Sequence, residues 1–230
     1  MAIEQDIAQK VAVNDNLTVT LNNKLNEIDT RVAQAKAAID AASDLALKNS
    51  FPYRLSRNQR LLLTAGTVPD FWSSGAGITY TQMQTIEIVT PWVDRTELEK
   101  ELLVAMGRDG LGYSYVSFNI WRMQWSTLDV ADRSTLFQQV NASTAVTVAA
   151  MTKLISGTVT GHWAEGITTQ WSLTGQHFPP NEHGYIHMNP HRHSTSGELL
   201  FALPAVIAGE KALVARDWWT FPYIGDDQNA

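Results

Sequence analysis

The sequence predicts an α+β protein: an N-terminal parallel trimeric coiled coil followed by a β-rich, sandwich-like head with one or two short helices. Three observations carry this. Apolar residues keep a 3-4 spacing through the first 48 residues, with no Pro or Gly between Met1 and Ser50. The composition changes abruptly at Asn49, and Pro52 follows. Beyond it, segments rich in β-branched and aromatic residues alternate with turns containing Gly and Pro.

With Ile7 at heptad position d, the register runs Val11 a, Asn14 d, Thr18 a, Leu21 d, Leu25 a, Ile28 d, Val32 a, Ala35 d, Ile39 a, Ala42 d and Ala46 a. A helix of this length spans roughly 70 Å. A single copy cannot bury its own apolar stripe, so partner strands are implied. In a parallel coil, position g faces the following e of a neighbour, and Lys10 with Asp15 and Lys24 with Asp29 are complementary there; Arg31 with Lys36 is not. Leu25 at a with Ile28 at d favours more than two strands. Asn14 and Thr18 form a polar layer in the stripe, of the kind that sets register at a cost in stability.

Residues 49–78 read as a neck between a stalk of residues 1–48 and a head of residues 79–230. Pro52 stops the helix. Arg54, Arg57 and Arg60 make this the most basic stretch, suited either to pairing with carboxylates of a neighbouring chain or to holding an acidic ligand. In the head, Ile78–Thr90 reads as a strand ending at Pro91. Asp94–Met106 reads as a helix, with Thr96 and Glu99 at capping-box spacing. Gly112–Trp125 is the strongest strand signal, apolar on both faces and so expected to be buried on both. Asp129–Val140 reads as a short helix. Ser143–Leu154, Gly157–Trp163, Ile167–Thr174, Glu198–Ile207 and Lys211–Phe221 read as further strands at sandwich-like spacing.

Composition narrows the function. A net charge of −6 and a pI near 5.5 argue against a nucleic-acid binder. There is no Cys, hence no disulfide framework and no thiolate metal site. The first residues lack the basic and apolar regions of a signal peptide, and no apolar run reaches 18 residues, so no membrane insertion is expected. No Gly-x-Ser-x-Gly elbow, phosphate-binding loop or dinucleotide fingerprint is present, and an enzyme is not expected.

All six histidines fall between 162 and 193, densest in His183-Gly-Tyr-Ile-His187-Met-Asn-Pro-His191-Arg-His193. Residues two apart on an extended chain face the same way, so His191 and His193 can share one metal ion or belong to a surface loop that binds none. The aromatics Trp163, Trp171, Trp218, Trp219 and Tyr223 crowd the same C-terminal half, and Trp218 and Trp219 are expected on opposite faces of a strand. Loops on a rigid scaffold concentrate binding residues. Trp163, His183, Tyr185 and His187 are therefore the candidate receptor-binding residues. Trp163 would stack on a sugar or aromatic group, and His183 and Tyr185 would supply hydrogen bonds. The neck arginines are the competing site.

Several resemblances bear on these residues. Asn14 at d after Val11 at a resembles the polar layers of trimeric autotransporter stalks and phage fibres, which implies three asparagines around an anion on a threefold axis. Gly184, His191-Arg-His193, Glu198 and Pro204 resemble the first cupin motif loosely, with the Gly one residue too far away. No later His supplies the ligand of the second cupin motif, so that resemblance implies a site of His191, His193 and Glu198 only. The His-x-His pair also resembles those of phage tail-fibre tips. There, three chains give six nitrogens to one iron ion, so this likeness implies a shared octahedral ion on the trimer axis. In architecture the whole chain resembles short homotrimeric tail fibres, head fibres and receptor-binding proteins. That resemblance implies a virion location, N-terminal docking on other tail or capsid proteins, and a C-terminal head that binds a host surface glycan or protein. The alternatives are a cupin-like or polysaccharide-degrading enzyme on a stalk, or a purely structural virion protein.

Overall fold

The computed structural model describes residues 2–49, 53–110, 116–128, 132–180 and 184–223. The chain divides into two compact units, Met1–Asn49 and Ser50–Ala230.

The first unit is one uninterrupted helix, α1 (Ala2–Asn49). Its polar face is knitted locally: Lys10 Nζ meets Asp6 at 2.8 Å, and Lys24 Nζ meets Glu27 at 2.7 Å. The lysines assigned above to pairs between chains thus have partners within their own helix. Thr18 donates its hydroxyl to the Asn14 carbonyl at 2.9 Å, and Thr20 and Thr30 do the same one turn back, so these hydroxyls are satisfied inside the helix. The apolar stripe finds no cover in the single chain. Ile7, Val11, Leu21, Leu25, Ile28, Val32 and Ile39 are between 54% and 68% exposed.

The second unit is built on strands. In chain order these are β1 (Ser73–Ser74), β2 (Ile78–Ile86), then helix α2 (Glu97–Ala105), β3 (Phe118–Trp125), β4 (Leu136–Phe137), β5 (Gln139–Asn141), β6 (Val146–Ser156), β7 (Val159–Thr160), β8 (Ser172–Phe178), β9 (Tyr185–His187), β10 (His191–Arg192) and β11 (Gly197–Ala208). One antiparallel sheet of five strands, ordered β2-β3-β11-β6-β8, forms the centre. Three two-stranded ribbons, β1 with β4, β5 with β9, and β7 with β10, flank it among the described residues, with isolated bridges at Arg54–Ile207, Arg54–Tyr223 and Ser134–His191.

Both faces of the sheet are buried, by different means. On one face Trp121, Met123, Leu199, Phe201, Val148 and Val206 pack against Leu61 and Trp72 of the former neck, Val140 and Ile186 of the β5–β9 ribbon, and Trp163. On the other, Phe118, Ile120, Leu200, Ala202, Ala205 and Ile207 pack against Leu102, Leu103 and Met106 at α2 and against Trp218. The expectation that the Phe118–Trp125 segment is buried on both sides holds.

A bulge in β11 changes which of its residues face each layer. Odd residues Leu199 and Phe201 face the first layer, but beyond a register break between Ala202 and Ala205 the even residue Val206 does so. Pro204 sits in that break, where its missing N–H is not needed by the ladder. Leu203 takes a left-handed φ of 53°, and its carbonyl, released from the sheet, accepts Trp218 Nε1 at 2.9 Å.

Several expectations are corrected. The head has a single central sheet and not two facing ones. Lys211–Phe221 contains a 3-10 turn at Ala215–Asp217 and no sheet strand, because Trp218 is drawn inward by the Leu203 carbonyl. Trp219 does not sit exposed on an opposite face. It packs beside the same cluster, edge-on to Phe118 at 6.4 Å with the Arg108 guanidinium 4.5 Å over its ring. Of the helix expected at 129–140, residues 129–131 lie outside the described residues, and the rest forms β4 and β5. Thr135 N–H there donates to the Pro190 carbonyl and Asn189 Oδ1, partners distant in sequence that override local preference. Gly157–Trp163 holds only the two-residue β7 before Gly161, at φ 85°, turns the chain into a 3-10 segment. The strand expected at 167–174 runs instead over Ser172–Phe178. Residues 111–115, the start of the strongest strand signal, lie outside the described residues.

Helix α2 does carry the expected capping box. Glu99 N–H donates to Thr96 Oγ1 at 3.3 Å, and Thr96 N–H donates to Glu99 Oε2 at 2.7 Å. Arg95 closes on Glu99 at 3.4 Å, both buried.

Candidate functional site

Strands β5 and β9 alternate outward and inward residues. Val140 and Ile186 point into the core, while Gln139, Asn141, Tyr185 and His187 face out, with Gln139 opposite His187 and Asn141 opposite Tyr185. Beside this ribbon lies a cleft of about 520 Å³, lined by Leu55, Arg57, Phe71, Gln138, Gln139, Val140, Asn141 and Tyr223. That volume falls in the range of about 300–1,000 Å³ common to small-ligand sites. Of the two sites that compete in the sequence, the neck arginines therefore supply Arg57, which lines this cleft, and the C-terminal candidates Tyr185 and His187 lie opposite the lining residues Asn141 and Gln139.

The cleft is braced from below. Gln138 accepts the Arg57 backbone N–H at 2.6 Å and donates to the Phe71 carbonyl at 3.0 Å, tying the former neck to the β4–β5 turn. Arg57 lies 5.1 Å from the Phe71 ring centroid and 6.0 Å from that of Tyr223, and its Nε donates to the Tyr223 hydroxyl at 3.2 Å. Of the three neck arginines, Arg57 alone lines the cleft. Arg54 is buried, donating to the carbonyls of Phe221 and Ser56. Arg60 donates to the Ser117 carbonyl at 2.6 Å.

The predicted site residues part company. Trp163 is fully buried, stacked on Phe201 with centroids 5.4 Å apart, and its carbonyl accepts the Thr174 hydroxyl. It cannot stack on a sugar; a Trp within a strand-rich unit is drawn to the core by its own apolar area. His183 lies outside the described residues. Tyr185 and His187 are exposed, with ring centroids 5.4 Å apart, and His187 also stacks on Phe137 at 6.3 Å.

His191 and His193 face outward on either side of Arg192, as alternate positions require. His193 Nε2 is 2.9 Å from Thr160 Oγ1. Arg192 is wholly buried, donating to the Thr127 and Asp132 carbonyls. Asp132 in turn is held below the usual carboxylate range, chiefly by hydrogen bonds from Ser134. Glu198 is not with the histidines. It accepts Gln124 Nε2 at 2.8 Å and lines a separate polar groove with Ser156 and Ser196. Among the described residues, no three His, Asp or Glu side chains are grouped for a metal within one chain, so the cupin-like set does not assemble.

His162 was not singled out, yet its imidazole is clearly shifted. It follows Gly161, takes a left-handed φ of 50°, and lies between Phe178, at 5.2 Å, and His191, at 6.0 Å. Burial pushes its imidazole down to about 4. A backbone hydrogen bond with Asn189 opposes the shift, and the neighbouring His191 and His187 add to it. Phe71, Gln138, Gln139 and Asn141 were missed too. Nothing in a single sequence marks which amides and which Phe will stand at a cleft. The one usable signal is Pro69-Asp-Phe-Trp72, a turn that has to leave one of two adjacent rings outside. No family model matches this chain, and no curated protein matches it in sequence.

Proposed function

We propose that the chain is a homotrimeric attachment protein of a phage particle: a short tail fibre, head fibre or receptor-binding protein. Residues 1–48 assemble three copies in parallel and dock on the particle, and the head binds a host surface. The observation that carries this is the contrast in α1. Seven apolar heptad residues stay more than half exposed on a helix that has no core of its own, in a chain whose second unit packs two layers of fully buried apolar residues. Partner helices are the physical completion of that stripe. Asn14 and Thr18 form the polar layer of the trimer. Three heads on one stalk give avidity without any new contact.

The outward-facing His191 and His193, in three copies, offer six nitrogens to one octahedral ion on the axis, supplying a structural cross-link. The described lining of the cleft, two aliphatic side chains with amides, aromatics and one guanidinium, suits binding.

Light scattering on the full chain should give three times 25.5 kDa. A monomer at micromolar concentration ends the proposal. Elemental analysis should find one metal ion per trimer, and one per chain would remove the axial site. Labelled antibody against the head should decorate an appendage of purified particles in electron micrographs.

A further inference from the structure

We infer that the cleft between the former neck and the β5–β9 ribbon binds a segment of surface polysaccharide, neutral or acidic, with Phe71 as its stacking platform. This rests on the attachment reading above and names its ligand and site.

Phe71 is the starting point. It combines a φ of 68° with 48% exposure. A non-glycine residue in the left-handed region is strained, and an exposed ring recovers little by burial. The guanidinium of Arg57 over the ring offsets only part of that strain. On stability alone, glycine or asparagine would serve better at this turn. Asn58, Leu61 and Leu203 also have positive φ, but each is buried, and the first two give hydrogen bonds or carbonyls to the core. Phe71 is held in the same kind of strain with its ring turned to solvent. Its backbone is fixed by Gln138, so the platform is in place before any ligand arrives.

The rest of the lining selects the ligand. A sugar ring has an apolar face of C–H groups and a rim of hydroxyls. Phe71 and Tyr223 suit the face. The carboxamides of Gln139 and Asn141, each with both a donor and an acceptor, suit the rim. Among the described residues, one arginine and no carboxylate lines the cleft, which suits a neutral or acidic sugar. The surface does not end at the cleft. Asn141 lies opposite Tyr185, and His187, opposite Gln139, stacks on Phe137, extending aromatic and hydrogen-bonding groups along the ribbon. That suits an extended polymer better than a single small molecule. A nucleic acid strand also stacks on rings, but it calls for a row of cations along its backbone. The lining has one, in a protein of net charge −6.

The test is a printed panel of bacterial capsular, O-antigen and teichoic polysaccharides, probed with the full-length chain. Wild-type protein should bind at least one. Phe71→Ala and Asn141→Ala should each weaken that binding at least tenfold without lowering the melting temperature. Val93→Thr, exposed and outside the cleft, should change nothing. Binding to no printed polysaccharide, or equal binding by all four proteins, overturns the inference. Retention on bacterial envelopes that is lost on trypsin treatment but survives periodate oxidation identifies a protein partner and also overturns it. A trimer that decorates particles yet ignores Phe71→Ala leaves attachment standing and removes the cleft. A monomer whose polysaccharide binding depends on Phe71 does the reverse.

Discussion

The two units solve the same problem, burying apolar side chains, in opposite ways. In the head the strands find cover within the chain: Phe118, Ile120, Met123, Leu199, Phe201 and Val206 are all fully buried. In α1 the best-patterned apolar residues of the whole sequence stay exposed. The head therefore finds its core within its own unit. The helix leaves its apolar stripe uncovered within the chain. Regularity of pattern reports how an element buries itself, and says nothing about whether the partner lies in the same chain.

The sharpest way to break this comparison is to charge the stripe. Leu25→Asp at an a position should reduce the proposed trimer to a monomer on gel filtration, while the near-ultraviolet dichroism of the head keeps its shape. If the head spectrum collapses too, the two units are not independent. The mirror experiment cuts the head. Trp121→Ala removes a fully buried ring whose Nε1 donates to the Leu61 carbonyl, and should cost the head about 3–5 kcal/mol in urea unfolding, with oligomeric mass unchanged. A loss below about 1 kcal/mol would mean that the first face of the sheet is loosely packed.

How legible the two units are in sequence follows from the same contrast. The helix, its length and its end near Asn49 can be read directly, because a 3-4 repeat without Pro or Gly constrains every residue in the same way. The capping box of α2 and the buried central strand ending at Trp125 are also readable, being local signals. The topology is not. That Leu203 and Pro204 form a bulge depends on Trp218 reaching back to a released carbonyl, and that 134–141 is extended depends on Asn189 and Pro190. The candidate site divides along the same line. That Tyr185 and His187 stand at the surface is in keeping with their place in a polar, loop-rich segment. Trp163 was misplaced because the size of a ring cannot tell core from platform. Phe71 depends on a backbone conformation that no pattern announces.

Acid should act on the head through His162. His162 is held neutral in the fold, so its lowered value means the unfolded chain binds the proton first. Stability contributed by the neutral imidazole is full above about pH 6.5, the unfolded value, and is lost as pH falls toward about 4. Because the ring is partly exposed, the loss is about 1–2 kcal/mol after allowing for solvent screening. Urea midpoints of wild-type and His162→Gln protein at pH 7.5 and 4.5 check it: the wild-type should lose more than the variant, and an equal loss refutes it. The smallest effect belongs to the strained turn. Phe71→Gly should leave the head about 0.5 kcal/mol more stable, since relief of the left-handed backbone slightly outweighs the lost ring contact and the added chain entropy. A destabilisation beyond about 1 kcal/mol would show that the ring is packed and not presented.

The order of the sheet, β2-β3-β11-β6-β8, has a consequence for synthesis. Its middle strand is the last one to leave the ribosome. Until Gly197–Ala208 emerges, β2 with β3 and β6 with β8 are separate hairpins, each with an apolar edge and nothing between them. Closing the sheet joins residues far apart in the chain, a slow kind of step. The helix needs no such wait, since its hydrogen bonds are all local. A nascent chain stalled before residue 197 should therefore carry a formed helix and a protease-sensitive remainder, and the head should acquire resistance in one late event.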